Sequence, residues 1–111
     1  MIGLEQKKLL ADILECIVSI DEHLENKRVF EVYTQNKTMR RAVERELEII
    51  GEAMSKLLKL NPEIHISYAR LIVDLRNKVI HAYDAVDDVL IWKIIMKDIP
   101  ALENEVRNLL D

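Results

Sequence analysis

The chain contains little of what tight turns, disulfides or membrane spans require. It has two glycines and two prolines, too few for the many turns of an all-β fold. Its single cysteine, Cys16, excludes an internal disulfide and fits a reducing compartment. No apolar run approaches the roughly 20 residues that a membrane-spanning helix needs, and the first residues show no secretion signal. We therefore expect a cytoplasmic protein of one domain.

The chain also lacks an excess of basic residues, since its formal net charge is −4. That charge argues against a protein that coats nucleic acid without regard to sequence, so any RNA contact must be local. The densest basic cluster is Arg40, Arg41 and Arg45. Two interpretations stay open for it: a solvated face that pairs with Glu44 and Glu48, or a contact with an RNA backbone.

Half of the residues are hydrophobic, and they recur at helical spacing. The pattern predicts four main helices, over residues 4–24, 38–60, 67–83 and 89–110. A short apolar patch over residues 29–33 predicts a short extra helix or a turn. The candidate caps of the later helices are Asn36 or Thr38, Ser67, and Asp87. Pro100 predicts a kink or a break in the last helix.

Several residues that often carry chemistry fit structural roles better here. Cys16 has isoleucine neighbours, which favours a buried, inert thiol over a nucleophile. Trp92 shares the apolar face of its helix, which favours a core position over a base-stacking platform. His23 lies among charged residues without a histidine partner at ligand spacing, which favours a solvated surface role over metal binding. His65 precedes a predicted helix in a loop, where contact with a ligand stays open.

Four polar residues late in the third main helix form the candidate site: Arg76, Asn77, His81 and Tyr83. On a wheel of about 100° per residue they lie opposite the apolar arc of that helix. A histidine can act as general acid or base, and a guanidinium can bind a phosphate. The same residues also fit a structural role, since the helix dipole favours cations in a last turn. A metal site is not expected, because His81 has no His or Cys partner at ligand spacing.

A thin apolar line lies on the same face of this helix as the polar residues. Ala69, Val73 and Ile80 fall at roughly 20–60° from Arg76 on the wheel. An apolar line away from the core predicts contact with a partner. We expect these residues in the interface of a homodimer, in which a symmetric pair would supply two copies of the polar residues.

The pattern Arg76-Asn77-x-x-x-His81-x-Tyr83 resembles the signature of HEPN domains, in particular the HepT-like toxin ribonucleases of bacteria and archaea. Other stretches agree with that family in order: Ala42-Val43-Glu44-Arg45, Ile49-Ile50-Gly51-Glu52-Ala53, Asn61-Pro62-Glu63-Ile64, Trp92-Lys93-Ile94-Ile95 and Ile99-Pro100-Ala101-Leu102. The resemblance covers roughly residues 4–110. The chain departs from the family where Ile64-His65-Ile66-Ser67 replaces its usual Pro-Trp.

The resemblance implies a single HEPN-like domain over residues 1–111, folded as an up-and-down helical bundle. It implies a homodimeric, metal-independent endoribonuclease, in which Arg76 and His81 act in catalysis with support from Asn77. The protein would be the toxin of a toxin–antitoxin pair. Its partner would be a minimal, MntA-like nucleotidyltransferase antitoxin that adds AMP to Tyr83. No cofactor, membrane or DNA is implied.

Two other functions are compatible with the sequence. The chain could be a noncatalytic HEPN module that binds a nucleotide or docks a nucleotidyltransferase, or it could be a purely structural bundle. The joint presence of Arg76 and His81 favours the enzyme, because a docking module has no need of that pair.

Overall fold

The computed structural model describes residues 2–67, 69–70, 72–74 and 88–111, and every regular element within them is helical. The elements in chain order are α1 (Leu4–His23), α2 (Phe30–Gln35), α3 (Lys37–Leu60), α4 (Asp88–Lys93), a π-helix (Ile94–Asp98) and α5 (Ile99–Leu110). Residues 69–70 and 72–74 are also helical. The predicted all-α fold is confirmed. No helix in these ranges is long and apolar enough to cross a membrane.

The two longest helices, α1 and α3, pack as an antiparallel pair. The side-chain amide of Asn61, just after α3, donates to the side-chain oxygen of Gln6 at 3.3 Å. The ring of His23, at the end of α1, lies 2.8 Å from the Glu46 carboxylate. The facing apolar residues are at most 1% exposed: Leu10, Ile13, Ile17 and Ile20 on α1, and Val43, Leu47, Ile50, Met54 and Leu57 on α3. Burying each side chain of this kind contributes about 1.5–3 kcal/mol.

The start of α3 follows the predicted capping chemistry. The side-chain oxygen of Asn36 accepts the backbone N–H of Met39 at 3.0 Å, which satisfies a donor that has no partner inside the helix. Of the two candidate caps, Asn36 is therefore the one used. α3 ends at Leu60, because Asn61 precedes a proline and leaves the helical conformation.

The last helix is interrupted beside Pro100, as predicted, and the interruption is a π-helical segment. The five residues of the π-helix, Ile94–Asp98, end directly before α5, which has Pro100 in its first turn. A proline has no N–H to donate, and its ring clashes with the carbonyl of the preceding turn. The wider π turn relieves that clash while the helix continues. Ile94 and Ile95 stay 1% exposed, so the register change keeps the core filled.

α4 and α5 complete the described core. Leu102 and Val106 of α5 are fully buried. The Trp92 ring of α4 packs against the rings of Tyr33 and Phe30, with centroid distances of 5.3 and 5.8 Å. Trp92 is partly buried against the core, which agrees with the structural role predicted for it.

Candidate functional site

Most of the predicted site lies outside the residues that the structure describes. The predicted residues concerned are Arg76, Asn77, Ile80, His81, Tyr83 and the candidate cap Asp87. Their roles stay predictions. The structure does describe the chain on both sides of them. The helical residue Asp74, which is exposed, precedes this segment, and α4 follows it from Asp88.

The structure describes two residues of the predicted apolar line, and both contact the core of their own protomer. Ala69 is 6% exposed and belongs to the core of its own protomer. Val73 is half-buried and packs against that core. The placement of Ala69 on a non-core face is therefore wrong. A helical wheel describes only the helix itself and does not show which other parts of the chain pack against it. At the start of this helix, the Ala69 N–H donates to the Ile66 carbonyl at 3.3 Å.

That loop is fastened to α5 by one carboxylate. The two oxygens of Glu105 accept the backbone N–H of Ser67 at 3.0 and 3.2 Å, and the Ser67 hydroxyl donates to Glu105 at 3.0 Å. The sequence predicted Ser67 as a helix cap and gave no signal for Glu105. Ile66 is buried beside this contact, whereas His65 is exposed. The loop that departs from the family pattern is thus held by an interaction of its own.

On the far side of the segment, α4 begins beside the first half of α3. The charges of Asp88 and Glu44 both act on Tyr33. Burial, followed by the nearby Asp88 carboxylate, raises the pKa of Glu44. The carboxylates of Glu44 and Asp88 therefore lie near Tyr33, where α4 begins.

Tyr33 is the most unusual group in this region. Its side chain is fully buried, and its hydroxyl has no hydrogen-bond partner among the residues that the structure describes. Burial, together with the charges of Glu44 and Asp88, raises the pKa of Tyr33 far above its ordinary value. An unpartnered buried hydroxyl costs about 1–3 kcal/mol. The sequence placed Tyr33 in an apolar patch but could not reveal the missing partner.

The basic cluster on α3 is divided between structural and exposed positions. The guanidinium of Arg40 donates to the Thr34 carbonyl and so joins α2 to α3. Arg45 pairs with Glu48 at 3.0 Å. Arg41 is exposed, as is Lys37 one turn before it. The ion pairing with glutamates that was predicted for this face is therefore observed for Arg45, with Glu48 as its partner.

An acidic groove of about 480 Å³ runs between α1 and α3. Its lining includes four carboxylates, Asp12, Glu15, Glu46 and Glu52, against one lysine, Lys56. Glu46 also lies 2.8 Å from the ring of His23, whose side chain is 35% exposed. His23 therefore lies at the surface, as predicted, with a carboxylate partner that the sequence did not indicate. A groove with this charge repels RNA phosphates. It is therefore a poor candidate for the RNA-binding surface.

Cys16 lies at this groove with a side chain that is 7% exposed. Burial, followed by the charge of Glu46, raises the pKa of Cys16 from an ordinary 9.0 to about 12. A protonated thiol is a poor nucleophile. The predicted inert role agrees with this environment.

The raised pKa of Cys16 predicts a loss of stability in alkali. The pKa of the thiol is 9.0 in the unfolded chain and about 12 in the folded protein. Between these pH values the folded state therefore binds the proton more strongly than the unfolded state. The contribution of Cys16 is full below pH 9 and falls by up to about 1.4 kcal/mol per pH unit above it. Urea unfolding from pH 8 to 10.5 measures this. The stability difference between wild type and Cys16→Ala should shrink with rising pH, and a constant difference would contradict the assignment.

Within the described ranges, no group of three or more His, Cys, Asp or Glu side chains is placed to hold a metal ion. The residues that carry the predicted chemistry fall outside those ranges.

Comparison with known proteins gives one consistent result. A family model described as ribonuclease HepT-like matches residues 13–109. "Probable ribonuclease HepT" of Thermococcus cleftensis is 38% identical over 107 residues, which are 93% of this chain and 94% of the relative. "Putative RNase MJ1380" of Methanocaldococcus jannaschii is 36% identical over 104 residues, 90% of this chain and 92% of the relative. "Putative RNase TTE0752" of Caldanaerobacter subterraneus is 40% identical over 82 residues, 73% of each chain. No solved structure matches.

The matched region runs from the middle of α1 almost to the end of α5. It therefore contains the second half of α1, all of α3 and the segment with the candidate site residues. The relatives extend over nearly the same length as this chain. The chain belongs to the HepT-like ribonuclease family.

Proposed function

We propose that this protein is a metal-independent endoribonuclease formed by a single domain over residues 1–111. The observation that carries the proposal is the family match over residues 13–109, which includes the pattern of Arg76, Asn77, His81 and Tyr83. The names of the relatives, which designate ribonucleases, support an activity on RNA. The all-helical fold agrees with that family.

The proposed reaction uses the RNA as its own nucleophile. The 2′ oxygen attacks the adjacent phosphorus, the bond from phosphorus to the 5′ oxygen breaks, and a 2′,3′-cyclic phosphate remains. One group removes the proton of the 2′-OH, and another protonates the leaving 5′ oxygen. His81 performs one of these transfers. Arg76 binds the phosphate and stabilises the charge that develops on it, while Asn77 orients His81 or the ribose.

The experiment that tests the proposal is incubation of purified protein with total RNA in EDTA, comparing wild type with His81→Ala. Cleavage by the wild type alone supports the enzyme. A noncatalytic nucleotide-binding or docking module gives no cleavage with either protein.

We also propose that the active form is a homodimer, because one chain supplies a single Arg76 and a single His81. Sedimentation equilibrium at micromolar concentration should give twice the 13.0 kDa mass of one chain. Ile80→Glu should shift the mass to that of a monomer, because it places a charge in the proposed interface. The matched control is Val18→Glu, since Val18 is 42% exposed on α1. A monomeric wild type, or equal dissociation by the control, would refute the interface.

In the cell, the enzyme would be the toxin of a toxin–antitoxin pair. Its partner would be a minimal nucleotidyltransferase, MntA-like, that transfers AMP to Tyr83. An added AMP brings bulk and a negative phosphate next to groups that bind RNA phosphate, so it would both block the site and compete for Arg76.

A further inference from the structure

The first turns of α3 hold an unusual concentration of positive charge. Residues 37–45 contain four cations, Lys37, Arg40, Arg41 and Arg45, against one carboxylate, Glu44. The chain as a whole carries −4. An anionic polymer is therefore drawn to this stretch and repelled by most of the remaining surface.

The structure separates these cations by what they contact. Arg40 is occupied by the Thr34 carbonyl, and Arg45 by the Glu48 carboxylate. Arg41 and Lys37 make no hydrogen bond or ion pair with any residue that the structure describes, and both are exposed. They lie four residues apart on α3, which places them on the same face one turn from each other. Among the described residues, these two cations thus have no hydrogen-bonded or ion-pair partner that would compete with a ligand.

Glu44 is the one carboxylate within residues 37–45. Burial, followed by the charge of Asp88, raises the pKa of Glu44, whereas the positive charges of Arg41 and Arg40 lower it, so Arg41 lies within electrostatic reach of this carboxylate. The denser acidic region is the groove between α1 and the later turns of α3, lined by Asp12, Glu15, Glu46 and Glu52. The two signs of charge are therefore separated along the length of α3.

This basic stretch is close to where the chain leaves the candidate site. Asp88, at the start of α4, acts electrostatically on Glu44 and Tyr33. His81 precedes Asp88 by seven residues in the sequence, so the covalent chain limits their Cα atoms to about 25 Å apart. A single strand of RNA a few nucleotides long can extend over such a distance.

We propose that Lys37 and Arg41 bind backbone phosphates of the RNA substrate, a few nucleotides from the bond that is cut. The proposal rests on the proposed ribonuclease function and adds a substrate-binding surface to it. Contacts of this kind are with the phosphate backbone, so they position the strand and do not select its sequence.

The test measures binding and cleavage separately. Binding of a fluorescein-labelled single-stranded RNA of about 20 nucleotides is titrated at several salt concentrations, using the His81→Ala protein so that cleavage does not interfere. In that background, Lys37→Gln with Arg41→Gln should weaken binding by about tenfold or more. The slope of log affinity against log salt should become shallower by about 1.4, at about 0.7 for each lost phosphate contact. In the active protein, the double variant should raise KM and leave kcat nearly unchanged.

The matched control is Lys7→Gln with Lys59→Gln. Both lysines are exposed, at the start of α1 and the end of α3, and their replacement changes the net charge equally. The proposal is overturned if the control weakens binding as much as the double variant, if the double variant binds like its parent, or if the parent binds no RNA. A parent that binds RNA through Lys37 and Arg41, while the wild type cuts none, would uphold this surface and remove the proposed catalytic function.

Discussion

His81→Ala should abolish RNA cleavage, with a loss of at least about a hundredfold and up to about ten-thousandfold. That range is what a positioned general acid or base contributes. An alanine at this position can neither accept the proton of the 2′-OH nor donate one to the leaving oxygen. The melting temperature should change little, because the wheel places His81 away from the apolar face. The measurement is the initial rate of cleavage of a labelled RNA, beside a thermal melt of the same sample.

Arg76→Ala should cause a comparable loss, because the charge that develops on the phosphate would have no guanidinium beside it. The chain offers matched controls for both residues. His65 is exposed in the loop after α3, and Arg70 is exposed on the helical turn before the site. His65→Ala and Arg70→Ala should keep nearly full activity. If His81→Ala and Arg76→Ala lose stability and activity in proportion, both residues have structural roles and the catalytic assignment is wrong.

Tyr83→Phe should retain most of the ribonuclease activity and escape control by the partner nucleotidyltransferase. Phenylalanine keeps the ring but lacks the oxygen that accepts AMP. Incubation of the wild type with the partner and ATP should stop cleavage and add AMP to the peptide that contains Tyr83. The same treatment should leave the Phe variant active and unmodified at that position. Mass spectrometry of the peptides, with a cleavage assay of each sample, measures both effects.

The structure narrows the possible acceptors of AMP among the three tyrosines. Tyr33 is fully buried against Trp92, so its hydroxyl is out of reach of a partner enzyme in the folded protein. Tyr33 also provides the control, because Tyr33→Phe should leave both cleavage and AMP transfer intact. Modification at Tyr68, or silencing of the Tyr83→Phe protein by AMP transfer, would show that Tyr83 is not the switch.

The long helices could be predicted from the sequence because their apolar residues repeat along many turns. The limits of α1 and α3 lie within a residue or two of the predicted ones. The Asn36 cap was predictable because its side chain bonds a backbone N–H only three residues away. The interruption at Pro100 was predictable for the same reason. The π-helical form of this interruption was not predictable, because a proline causes the clash but does not determine how the preceding turn relieves it.

Contacts between distant parts of the chain could not be predicted in this way. Glu105 holds Ser67 across 38 positions of sequence, and His23 reaches Glu46 across 23. Ala69 is 6% exposed and belongs to the core, although the wheel placed it on a non-core face, because a wheel does not represent packing against the rest of the chain. The lack of a partner for the Tyr33 hydroxyl within the described ranges depends on what surrounds it in space. The candidate site stays a prediction, which rests on the residue pattern of Arg76 and His81 together with the family resemblance of the whole chain.

The metal-independent mechanism is tested most directly by the chemical groups at the ends of RNA fragments that are cut in the presence of EDTA. Purified protein is dialysed against the chelator and incubated with a labelled RNA, and the fragments are analysed by mass spectrometry. We expect cleavage to continue and the fragments to end in a 2′,3′-cyclic phosphate, with a free 5′-OH on the adjoining fragment. Cleavage that stops in EDTA and returns with a divalent metal, or fragments that carry a 5′-phosphate, would contradict the metal-independent mechanism through Arg76 and His81.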